Sequence, residues 1–60
     1  MKKEEIVSRM IPANFIGAMS MNGFVYKTYE FRVDGTDVVA IKGRNGKIAV
    51  FMPNGVTYRL

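Results

Sequence analysis

The sequence predicts a small all-β domain, a five-stranded antiparallel barrel preceded by a short N-terminal α-helix. Three observations predict it. Asn22-Gly23 joins two apolar runs, and Asn-Gly is the strongest short-range hairpin signal, because the favoured two-residue turn needs φ > 0 at both central positions. Asp34-Gly35, Gly43-Arg44-Asn45-Gly46 and Pro53-Asn54-Gly55 then punctuate the rest of the chain at short intervals. Finally, the run after Gly23 changes parity. Phe24 and Tyr26 share one face of a strand, whereas Phe31 and Val33 fall on the other. A single strand buries both pairs only if a bulge or sharp bend near residues 27–29 flips its register, and a long bent strand is how a small barrel closes.

The helix is expected over residues 2–11. Ile6, Val7, Met10 and Ile11 form an apolar stripe, with Lys2, Lys3, Glu5 and Arg9 on the other side. Glu4 and Glu5 suit the positive end of the helix dipole, and Pro12 ends the element by pushing its predecessor into extended geometry. Ten residues do not make a stable helix alone, so the stripe must dock on the strands.

Strand one is expected over 14–20, with Phe15, Met19 and Met21 on one parity and Gly17 marking a bend or a close approach. Strand two is 24–33, the bent one. Strands three to five follow over 37–42, 47–52 and 56–60. The third and fourth, VVAI and IAVFM, are apolar on both parities. They are buried on both faces, or on one face by the core and on the other by a second subunit.

Sixty residues make one domain with a marginal core. Small chains are usually helped by disulfides, a structural metal or oligomerisation. There is no Cys and no His, which excludes disulfides and the common zinc sites and leaves a homo-oligomer as the expectation. No cofactor is expected. A net charge of +4 favours a polyanionic partner, or else simply keeps a sticky domain soluble. No stretch is long and apolar enough for a membrane helix, and Glu4 and Glu5 spoil any signal-peptide reading, so a cytoplasmic protein without a membrane partner is expected.

Catalysis is not expected. The usual general base and the best nucleophile are both missing, and Ser8 and Ser20 have no base legible beside them. Asp34 and Asp37 read as turn carboxylates that hydrogen-bond nearby backbone. Gly43-Arg44-Asn45-Gly46-Lys47 leads into a strand rather than a helix, and so reads as a hairpin carrying two cations rather than a phosphate loop.

This order of elements resembles the Sm/Hfq (Sm-like) family of RNA-binding rings. Met21-Asn22-Gly23-Phe24 looks like that family's turn between strands one and two, and Asp34 stands where its first motif ends on an aspartate. Asp37-Val38-Val39-Ala40-Ile41 is similar to its third strand, and Phe51-Met52-Pro53-Asn54-Gly55-Val56 occupies the place of its second motif. The chain departs from the family at Thr28, where a glycine is usual, and at Met52-Pro53, which replaces a basic pair. The resemblance implies a homo-hexameric or heptameric ring, strand four of one subunit pairing with strand five of the next, that binds single-stranded RNA without catalysis. It implies a pore lined by Thr36, Asp37, Met52 and Asn54. A second, phosphate-binding surface would use Lys2, Lys3 and Arg9 on the helix with Arg44 and Lys47 on the hairpin tip. Tyr26 is expected to be structural, with Tyr29 and Tyr58 open to either a stacking or a packing role. The rival readings are an SH3-like protein-interaction module, whose apolar groove would ignore salt, and a barrel that coats duplex DNA.

Overall fold

A computed structural model describes residues 2–60. Helix α1 spans Lys3–Arg9, a single 3₁₀ turn follows at Pro12–Asn14, and five strands complete the chain: β1 Phe15–Met21, β2 Phe24–Val33, β3 Thr36–Lys42, β4 Ile48–Phe51 and β5 Thr57–Arg59. Every strand is antiparallel to its sequence neighbour, so the sheet runs β1-β2-β3-β4-β5. The turn chemistry explains this meander. Asn22 and Gly23 (φ 52° and 78°) and Asp34 and Gly35 (φ 50° and 76°) are two-residue turns with φ > 0 at both positions. The next two hairpins share another geometry. Gly43 N–H donates to Lys47 O, and Met52 N–H to Val56 O, around three-residue loops that each end in a left-handed glycine.

The helix is shorter than the 2–11 expected. Ile11 is extended (φ −104°, ψ 163°) because it precedes Pro12, and the helix closes at Met10. Asn14 Nδ2 donates to Arg9 O at 2.6 Å, satisfying a carbonyl that the helix leaves free. The predicted stripe is narrower too. Ile6 is fully buried and Met10 packs against the core, whereas Val7 and Ile11 are exposed.

Ile6 sits on one face of the sheet in a cluster with Phe31, Val33, Val38, Ala40, Ile48 and Val50. The register makes that face continuous, with Phe31 opposite Val38 and Ala40 opposite Val50. Ile41 has the opposite parity and is equally buried, between Thr28 on β2 and Ala49 on β4. Tyr26 covers the same side, its ring over Gly43. Two-sided burial of β3 and β4 is therefore present, largely inside one chain.

The parity change has a different cause from the one predicted. Strand β2 pairs with β3 without interruption from Lys27 to Val33, and the register shift lies in β1, between Phe15 and Gly17 opposite Tyr29 and Thr28. The extra residue is Ile16, so Phe15 does not share a face with Met19 and Met21. It turns to the core side and meets Tyr29 edge-on, ring centroids 5.6 Å apart. Nor does Phe24 reach a core; it is 64% exposed. Strand β2 serves two faces by alternation alone, its first half offering Tyr26 to one side and its second half Phe31 and Val33 to the other.

The strands do not close into a ring of hydrogen bonds: β1 and β5 have one paired edge each. Strand β4 pairs on both sides, with β3 and with β5. The edge of β4 that the resemblance assigns to a neighbouring subunit's β5 is held here by β5 of the same chain.

Candidate nucleic-acid interface

The ladder registers sort the charges of the sheet by height. Tyr29, Ala40, Val50 and Tyr58 lie in one row across β2–β5. On the side of that row toward the Asn22-Gly23 turn stand Lys27, Lys42 and Arg59, with Arg44 and Lys47 on the hairpin beyond. No acidic side chain of the sheet lies on that side. On the other side stand Glu30, Asp34 and Asp37, with Arg32 as the lone cation. Arg32 is already used, its Nε donating to Asp37 Oδ1 at 2.7 Å, and this hydrogen bond and charge raise the guanidinium above its usual range. The sheet is thus basic at one end and acidic at the other.

At the basic end Lys27 and Lys42 face each other directly across the β2–β3 ladder. Like charges in that relation are destabilising, so the pair is a feature the fold tolerates rather than uses. The loop 43–47 projects Arg44 and Lys47 beyond them, and Asn45 Oδ1 accepts from Lys47 N–H at 3.2 Å to fix the loop's shape. Phe24 stands exposed beside the first turn, and Tyr26 is half-buried behind it. By strand parity Phe24 shares its face with Arg59 and stands on the opposite face from Lys27 and Lys42, so the cations offer phosphate contacts without forming one surface with the ring.

The predicted pore residues lie at the opposite end. Thr36 opens β3 against Val33, and Asp37 is paired with Arg32. Met52 is half-buried and packs against the core cluster. Asn54 Oδ1 accepts from Val56 N–H at 3.0 Å, as Asn45 does in the preceding loop, so its oxygen is committed to the turn. These four residues do share one end of the sheet, in acidic surroundings unsuited to phosphate. Lys2, at the helix N-cap, and Lys3 and Arg9 on α1 are exposed. Of the predicted cations the structure groups Arg44 and Lys47, and it adds Lys27, Lys42 and Arg59. The sequence signal for these was the pairing of Lys27 with Lys42, which follows from counting outward from the Asp34-Gly35 turn.

A shallow apolar cleft of about 230 Å³ beside α1, lined by Ile6, Val50, Met52, Tyr58, Arg59 and Leu60, is smaller than the roughly 300–1,000 Å³ of small-molecule sites. Among the described residues no helix is long and apolar enough to cross a membrane. No protein-family model matches the chain, and no curated protein and no solved structure matches it.

Proposed function

We propose that this chain is a non-catalytic binder of single-stranded RNA that grips the phosphate backbone with the basic end of its sheet. The observation that carries the reading is the separation of charge along the strands: Lys27, Lys42, Arg44, Lys47 and Arg59 at one end with no acidic side chain of the sheet among them. The choice of RNA rests on the resemblance to the Sm-like family, and so does any closure of the sheet into a barrel. Contacts of this kind carry affinity and little sequence information, so binding is broad.

The test is fluorescence anisotropy with labelled oligo-uridine and oligo-adenosine, and with oligo-deoxythymidine beside them, at several salt concentrations. At about 0.7 per phosphate on a single strand, three to five contacts give a log–log salt slope of roughly −2 to −3.5. Absence of binding at low salt, or binding indifferent to salt, would overturn the proposal. The second outcome would favour a protein-interaction module instead, for which the exposed apolar hairpin of Met19, Met21, Phe24 and Val25 is the supporting observation.

A further inference from the structure

From Met10 to Tyr26 no residue is charged, although nine Lys and Arg and five Asp and Glu are spread over the remainder of the chain. Strand β1 lies inside this stretch and forms one free edge of the sheet. Free edges are normally blunted by shortness, charge, proline or a bulge. The β5 edge follows that rule, being three residues long and carrying Arg59. The β1 edge follows it only at its start, where Ile16 is bulged. From Ala18 to Met21 it is regular, uncharged and open.

We infer that this edge is the contact between two copies of the chain, β1 pairing antiparallel with β1 of a second molecule about a two-fold axis at Met19. The two-residue turn fixes which groups are free. Met21 and Phe24 flank the turn and bond to each other, so Met21, Met19 and Gly17 direct their N–H and C=O at β2. Ala18 and Ser20 direct theirs outward. Antiparallel pairing must place outward residues opposite outward residues, and the register with the greatest overlap of the regular part sets Ala18 against Ser20 of the second copy. It also sets Met19 against Met19, and Gly17 against Met21.

Size and charge both agree with that register. Gly17 leaves room for the long Met21 side chain, and the two Met19 side chains extend the row they form with Tyr26 on each β2. Phe24 and Val25, 64% and 60% exposed on the adjoining strand, flank the seam. Antiparallel pairing also turns the two molecules end for end, so the basic end of one lies alongside the acidic end of the other. Parallel pairing, or a head-to-tail ring through the edges of β1 and β5, would set the basic ends side by side. The two-fold contact consumes both long edges and leaves only the short β5 edges outside, so assembly stops at two.

The mass of the chain without RNA, by sedimentation equilibrium from low micromolar to ~100 μM, tests this independently of nucleic-acid binding. A dimer is expected. Ser20→Pro removes an N–H that bonds nothing within the chain, and is expected to give a folded monomer. Should that variant fail to fold, Met19→Cys decides. The chain has no cysteine, and non-hydrogen-bonded antiparallel partners lie about 4.5 Å apart at Cα, within disulfide reach. M19C is expected to cross-link quantitatively under mild oxidation, and Val56→Cys near the other edge to remain a thiol. A monomeric wild type, a mass above two, a folded S20P dimer, or equal cross-linking at position 56 would overturn the inference.

Discussion

Lys27 and Lys42 stand directly opposite each other on neighbouring strands, two like charges in register on one side of the sheet. Cross-strand pairs of this kind oppose folding, yet each lysine is exposed and neither has an acidic side chain opposite it in the ladder. The pair therefore sets stability against function, and substitutions there should move the two in opposite directions.

Lys42→Glu replaces repulsion by attraction across the ladder and is expected to raise stability by roughly 0.2–1 kcal/mol. The same change removes one phosphate contact and adds a negative charge, so RNA affinity falls and the salt slope loses about 0.7 or more. Urea denaturation and anisotropy on the same sample check both halves. A variant that loses stability and affinity together would mean the lysine is structural.

Gly43→Ala should destabilise the fold by about 1–3 kcal/mol, because the new Cβ would stand 2.9 Å from Cε1 of the Tyr26 ring. Tyr26→Ala removes the nearer obstacle and leaves Asn45 Oδ1 at 3.1 Å. The double variant should then be more stable than the sum of the two single effects predicts, a coupling that a double-mutant cycle in urea measures directly.

Ile6→Ala empties a fully buried position under α1 and is expected to cost about 2–5 kcal/mol. In a domain this small such a loss leaves much of the chain unfolded at 25 °C, visible by circular dichroism. Val7→Ala, one residue along on the exposed side, should change stability by about 0.5 kcal/mol or less.

Stability should be flat between roughly pH 6 and pH 9. The chain has no His and no Cys, the side chains that ordinarily titrate there. Among the described residues one group is displaced: Arg32 is held above its usual range by Asp37, so its contribution is complete below the unfolded-state value and is lost only as pH rises through the still higher folded value. That window lies in strong alkali. The urea midpoint measured across neutral pH should stay constant, and a step in it would point to a coupling that the ion pair does not supply.

Much of the fold was legible because the turns carry their own chemistry. Asn22-Gly23 and Asp34-Gly35 place β2 at residues 24–33, as predicted, and the two later Asn-Gly loops leave strands within a residue or so of those expected. The bulge was not legible in the right place. A parity change in β2 is equally consistent with a kinked strand and with a straight strand buried on both faces, and the uninterrupted β2–β3 register separates them. The charge grouping was hidden for a related reason. Lys27, Lys42 and Arg59 are scattered in sequence and come to one end of the sheet only when the three ladders from β2 to β5 are laid side by side. The committed oxygen of Asn54 and the packed side chain of Met52 depend on loop and core contacts that residue type alone does not specify.

The position of Ile6 also bears on how the chain acquires its shape. All four ladders join neighbours in sequence, so the meander can zip from one tight turn to the next, the topology of fast folding. The helix is the exception, because Ile6 packs in a cluster that draws on three strands and is completed only by Ile48 and Val50 of β4. Seven residues hold little helicity in water by themselves. On a ribosome, which extends the chain from its amino end, α1 is made first, and the cluster that buries Ile6 is complete only once β4 has been synthesised.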